Sequence, residues 1–179
     1  MRRRTLLAAV AFVPLAATLG GCSSLQPGGG LFDERLEGRF SEVSEMDGRR
    51  ESQSGSFALS RSGSRTVLEL GHPLAGILAR VTVEPSRTTL ETHDGQKFES
   101  TSPERLMQDQ LGFTFPVTEL ARWLDGAQEP SPEASAPWSI EFLERSAGGL
   151  PKVVRIRREE SSVAPSVRIT IAIDRRTRN

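Results

Sequence analysis

Beyond residue 30 the chain alternates apolar and polar positions with the period of a strand. Trp138, Ile140 and Phe142 alternate with Ser139, Glu141 and Leu143, and Val167, Ile169, Ile171 and Ile173 alternate with Arg168, Thr170, Ala172 and Asp174. Weaker alternation marks residues 39–43, 56–60, 66–70, 77–83, 88–92, 97–100 and 151–157. Asp94-Gly95 and Gly148-Gly149 supply the positive φ that a tight reversal needs. The pattern predicts an antiparallel sheet with one buried face.

Two helices interrupt it. Ser102, Pro103 and Glu104 give a capping hydroxyl, an N1 proline and a first-turn carboxylate in the favourable order, after which Met107 and Leu111 share a face. This helix should stop near Gly112. A second begins after Pro116, with Val117, Leu120, Trp123 and Leu124 as its apolar stripe and Gly126 as its C-terminal cap. The run EPSPEASAP at 129–137 reads as a loop that returns to the sheet. The fold class is therefore α+β: a large curled antiparallel sheet with helices covering its concave side and, where side chains do not fill it, an apolar hollow.

The first residues change the picture. Three arginines, an apolar stretch from Leu6 to Leu19 and small residues form a leader, residues 1–21, whose apolar part is short for a membrane span. Leu19-Gly20-Gly21-Cys22 has the form of a bacterial lipobox, which directs a lipid to the cysteine thiol. Cys22 is the only cysteine, so a disulfide framework is impossible and lipidation accounts for it. Residues 22–30 are then the lipidated cysteine and a flexible tether, and 31–179 one folded domain.

The leader removes three of 23 basic residues and none of 23 acidic ones, so the mature chain is mildly acidic. It offers no electrostatic footprint for nucleic acid or anionic lipid, and the covalent lipid must supply the anchorage. Ser23 follows the cysteine, where an aspartate would favour the inner membrane of a Gram-negative cell. The outer membrane is the expected destination.

Catalytic chemistry is sparse. There are two histidines, His72 and His93, and neither a GxSxG elbow, a phosphate-binding glycine loop nor an HExxH pair. No metal site, no cofactor beyond the lipid on Cys22 and no enzymatic activity are expected. Both histidines read as surface turn residues, His72 with the alternative of a pH-sensitive membrane contact. The arginines at 155–158 and 175–178 read as edge-strand and tail charges.

One apolar feature stands out. LGHPLAGILARV at 70–81 places Pro73 and Leu74 where a polar turn is expected, between two strand patterns. Leu74 either tucks under the helices as core or projects for use. Trp123 likewise reads as core or as cavity lining.

The stretch from Thr66 to Pro130 resembles the LolB family of outer-membrane lipoprotein receptors. The resemblance lies in the Pro73-Leu74 loop, the Asp94-Gly95-Gln96 turn before Phe98, and above all GFTFPVTELARWLDG at 112–126. It implies an unclosed β-barrel with an apolar cavity lidded by helices. Such a protein is a lipid-anchored monomer facing the periplasm. It accepts acylated lipoproteins from the soluble carrier LolA and inserts them into the outer membrane without nucleotide. The chain departs from the family in having no tyrosine, and Ala75 where glycine is common. Phe40, Phe57, Leu68, Ile140, Phe142, Ile169 and Ile171 are cavity candidates because they lie on apolar strand faces, and Leu74 with Pro73 is the candidate membrane-insertion loop. An accessory outer-membrane lipoprotein that binds a protein partner is the alternative.

Overall fold

Asp47 and Gly48, with φ of 51° and 75°, make the two-residue turn that joins β1 (Glu34–Met46) to β2 (Arg49–Ser62). Positive φ at both positions matches the right-handed twist of the flanking strands, so the hairpin is long and in register from Glu34 opposite Arg61 to Met46 opposite Arg49. The computed structural model describes residues 32–72, 76–112, 116–127, 138–159 and 165–179. The leader, Cys22, the tether, Pro73, Leu74 and the 129–137 loop lie outside the described residues.

After β2 come β3 (Arg65–His72), β4 (Gly76–Glu84), β5 (Arg87–Thr92) and β6 (Lys97–Ser100), each antiparallel to the one before. Two helices follow, α1 (Pro103–Leu111) and α2 (Val117–Leu124), then β7 (Trp138–Arg145), β8 (Pro151–Arg158) and β9 (Ser166–Arg178). The final strand pairs with the first, which gives one sheet in the order β6-β5-β4-β3-β2-β1-β9-β8-β7. Its edges, β6 and β7, are joined through the helices and not to each other. The sheet is curled but not closed. Every described element and the whole described core lie between Glu34 and Arg178.

Strands β1, β2 and β9 run well past the alternation in the sequence. Their polar ends are held by ladder hydrogen bonds to neighbours, which need no side-chain pattern. The expected turns are present, with positive φ at Gly95 and Gly149.

Glycine permits the tight packing of β1 on its neighbours. A Cβ at Gly38 would stand 2.0 Å from the carbonyl oxygen of Ala172 and 3.0 Å from the Phe57 ring, and one at Gly55 would stand 2.3 Å from the Gly71 carbonyl oxygen and 3.1 Å from the Phe40 ring. The two pairs are reciprocal, since Gly38 faces Phe57 and Gly55 faces Phe40 across the hairpin. Each ring covers the glycine on the opposite strand.

The other face of the sheet is charged. Arg175 binds Glu37 at 3.0 Å, Glu37 binds Arg35 at 3.0 Å, Arg35 binds Glu69 at 3.3 Å, and Glu69 binds Arg80 at 2.8 Å. Glu91 continues the chain to Lys97. Only the outer pairs, Arg175 with Glu37 and Lys97 with Glu91, have a partner well out in solvent and add little stability, while Glu69 at the centre is buried between Arg35 and Arg80. An open groove of about 600 Å³ runs along this face beside Arg35, Glu37, Glu69 and His72.

Candidate functional site: an apolar face under a two-helix lid

Leu36, Phe40, Phe57, Leu59, Leu68 and Leu70 project from one face of β1, β2 and β3, and Val154, Ile156, Ile169 and Ile171 continue it on β8 and β9. The register puts Phe40 opposite Ile171, and Phe57 opposite Leu70. Of the expected cavity positions, Phe40, Phe57, Leu68, Ile169 and Ile171 are thus buried together on this face. Ile140 and Phe142, near the β7 edge, are half-buried and pack against the same cluster.

The helices cover this face. Ser102 accepts a hydrogen bond from the Arg105 N–H at 3.3 Å, Pro103 opens α1, and Gly112 closes it with φ of 75°, so both ends form where the sequence predicts. Leu106 and Met107 point inward. In α2 the stripe Val117, Leu120, Trp123 and Leu124 is wholly buried. Trp123 is therefore core, and it keeps an unsatisfied indole N–H among the described residues. The two helices are tied by the Thr118 hydroxyl, which donates to Glu104 at 3.0 Å.

An ionic cluster fastens the end of α2 to the sheet. Arg176 donates to the Leu124 carbonyl oxygen at 2.6 Å, to Glu34 at 2.8 Å and to Asp125 at 3.3 Å. Arg61 and Arg178 bind the same two carboxylates. A guanidinium on the last carbonyls of a helix also meets the negative end of its dipole. Burial alone would raise the Glu34 carboxyl, but hydrogen bonds from Arg178, Arg61 and Arg176 outweigh it and hold the group below the usual carboxylate range.

These arginines correct the sequence reading. β9 and β8 are interior strands, so residues 155–158 and 175–178 are not edge-strand charges. Arg176 is mostly buried as the clasp of the lid, while Arg158 stacks 5.1 Å from the Trp138 ring and donates to the Pro165 carbonyl oxygen. The edges are instead β6, only four residues long, and β7, whose pairing with β8 is bulged.

At the opposite end of β1 from Glu34 lies a residue that the apolar pattern hid. Glu42 follows Phe40 on the inward face, opposite Ile169, and is 1% exposed. Both carboxylate oxygens are themselves buried, and Ser44 is the hydrogen-bonding side chain that acts on them. Burial pushes its carboxyl up, and Glu51 adds to this, while Ser44 and Arg158 act against it. It lines a cavity of about 330 Å³ between the tip of the β1–β2 hairpin and the C-terminal end of α1. A polar residue inside an apolar alternation was the available signal.

His72 is exposed at the end of β3 and His93 is exposed beside the Asp94-Gly95 turn. Among the described residues no group of three His, Cys, Asp or Glu side chains could hold a metal ion. Leu78, on β4 just beyond the 73–75 loop, is a large apolar side chain left 40% exposed.

A family model described as outer membrane lipoprotein LolB matches residues 35–175, which takes in nearly every strand and both helices. The chain belongs to the LolB family. Its relatives include the outer-membrane lipoprotein LolB of Bordetella pertussis, 35% identical over 116 residues, which cover 63% of this chain and 58% of that protein. The LolB of Cupriavidus metallidurans is 33% identical over 144 residues, or 76% of this chain and 67% of its own length. That of Cupriavidus necator is 30% identical over 154 residues, covering 77% and 78%. The chain thus spans less than two thirds of the Bordetella relative. LolB-family membership places it among the outer-membrane lipoproteins.

Proposed function

We propose that this chain receives acylated lipoproteins from a LolA-type periplasmic carrier, shelters their acyl chains on its apolar inward face, and inserts them into the outer membrane. The observation that carries the reading is the unclosed sheet. Its inward face, built around Phe40, Phe57, Leu68, Ile169 and Ile171, is covered by two short helices instead of by a second sheet. A lid of two helices can move aside where a closed barrel cannot. LolB-family membership supports the same reading.

Physical chemistry sets the mode of transfer. Each buried acyl methylene is worth about 0.8 kcal/mol, so a chain crossing water unprotected meets a prohibitive cost and must pass from cavity to cavity. Transfer then runs downhill without nucleotide, from a carrier that holds acyl chains less well to a receptor that holds them better. Cys22, through its covalent lipid, anchors the receptor at the membrane and facing the periplasm. Leu74, flanked by Pro73, enters the bilayer at release. The exposed Leu78 beside that loop extends the apolar contact.

The test is a transfer assay. A carrier loaded with an acylated lipoprotein is mixed with residues 31–179, and the cargo is located after separation. Movement of cargo to this chain without nucleotide is the expected result. Cargo retained by a competent carrier would favour an accessory outer-membrane lipoprotein that binds a protein partner.

A further inference from the structure

The two free edges of the sheet are unequal. β6 is four residues long and α1 packs against it and against β5, whereas β7 is eight residues long and lies along β8. From Trp138 to Phe142 the register with β8 is continuous, Trp138 opposite Arg158 and Phe142 opposite Val154, and the bulges that disturb the pairing fall beyond it. One side of this stretch is therefore bonded to β8. The other presents backbone N–H and C=O groups that no described strand pairs with.

The apolar face reaches solvent at the same edge. Ile140 and Phe142 pack against the core cluster yet stay half-buried, while Ser139 and Glu141 between them are exposed. The register joins these two residues to the middle of the face, through one row from Ile171 to Val154 to Phe142 and a second from Ile169 to Ile156 to Ile140. Each row crosses two strand spacings, about 10 Å. Leu143, which the bulge leaves without a partner on β8, is 41% exposed just beyond them.

We infer that β7 is the docking edge for the cargo's peptide: the extended residues that follow the lipid-bearing cysteine pair with Trp138–Phe142 as an added strand, while the acyl chains occupy the inward face. This rests on the proposed acyl-binding role of that face and says where the rest of the cargo goes. Lipid and peptide are covalently joined, so chains held along the Ile169 and Ile171 rows leave the peptide beside the edge at which those rows end. An added strand would bond the free N–H and C=O groups and cover Ile140 and Phe142 with its own inward side chains. Such pairing is made by main chain, so it accepts cargo of any sequence, as a receptor for many lipoproteins requires.

Amide hydrogen exchange tests it on residues 31–179, which hold every described element and the whole described core. The probe is a lipopeptide, an N-acylated and lipidated cysteine followed by Ser-Ser-Gly-Gly, and its comparison is the same lipid on cysteine amide alone. The lipopeptide should slow exchange about tenfold at the Trp138–Phe142 amides that β8 leaves unbonded and leave β6 unchanged, whereas the cysteine amide should not slow β7. N-methylating the peptide backbone should weaken binding about tenfold, the loss of a pair of hydrogen bonds. Binding without protection of β7, or with protection of β6 in its place, overturns the docking edge. Equal protection by the cysteine amide assigns the effect to the lipid, and equal affinity of the N-methylated lipopeptide removes the backbone pairing; either overturns the inference. If neither lipid binds, the acyl-binding role fails first and this inference with it.

Discussion

Phe57 on β2 lies over Gly38 on β1, its ring 3.0 Å from where a Cβ on that glycine would be. Behind the glycine the Ala172 carbonyl oxygen occupies the rest of the space, 2.0 Å from the same position. Real Cβ atoms do not approach a backbone oxygen so closely, and backbone cannot swing away as a side-chain tip can. Gly38→Ala should therefore force β1 and β9 apart and destabilise the fold by about 1–3 kcal/mol, the usual cost of overpacking. Urea unfolding measures this directly. A midpoint equal to wild type would mean that the strands can separate here at no cost.

Glu42 and Glu34 predict opposite responses to pH. The Glu42 carboxyl is raised in the folded state, so the unfolded chain gives up that proton first. Its penalty on stability is absent below the ordinary carboxylate value, grows as pH rises through the folded value, and is then constant. The groups facing it are Glu51, Arg158 and Ser44, with Glu45, Asp47, Arg49 and Gln108 around the cavity. Glu42→Gln should match wild type in acid and become the more stable protein towards neutral pH. Denaturant midpoints across a pH series test the pair, and parallel curves would contradict the shift.

Glu34 is held below its ordinary value by three arginines, so its contribution is present above that value and lost as pH falls through the folded one. Glu34→Gln should accordingly lose stability at neutral pH, and the deficit should shrink in acid. The measurement is the same pH series. A deficit independent of pH would show that the arginines gain little from the charge on Glu34.

Arg176 carries a different prediction, about the lid. It alone reaches the Leu124 carbonyl oxygen as well as Glu34 and Asp125, whereas Arg61 and Arg178 keep those carboxylates partnered without it. Arg176→Ala should cost about 1–3 kcal/mol, mainly by leaving that buried carbonyl unsatisfied. Hydrogen exchange should quicken first at the C-terminal end of α2, around Leu124 and Asp125, before the sheet is affected. Uniform acceleration across the sheet would mean that the clasp supports the whole fold and not the lid.

What the sequence made legible follows from how each feature is encoded. Both helices were readable from local chemistry, since Ser102, Pro103, Gly112 and the Val117-to-Leu124 stripe each act within a turn or two of chain. The apolar face was readable because period-two alternation survives in β3, β8 and β9. Strand order was not, since the pairing of β1 with β9 joins the two ends of the domain. The arginines of β9 were misread for that reason: a C-terminal strand looks like an edge until its neighbours are known. Glu42 escaped although it stands two residues from Phe40 and so shares its face, because a lone acid in a weakly alternating strand normally marks the end of the buried stretch, whereas here Ile169 opposite keeps that stretch buried.

Leu74 provides the test nearest to function. On its proposed role, Leu74 gains from the bilayer at release the roughly 1.5–3 kcal/mol that burying a leucine is worth. Leu78, on β4, is already 40% exposed. On the proposed role in release alone, Leu74→Glu should leave folding and acceptance of acylated cargo intact and should block delivery into vesicles, because a carboxylate resists entry into lipid. Acceptance is read by transfer from the carrier, delivery by co-sedimentation of cargo with vesicles. Delivery at the wild-type rate would remove the loop from the release step. Loss of both steps together would place Leu74 in the packing under the lid.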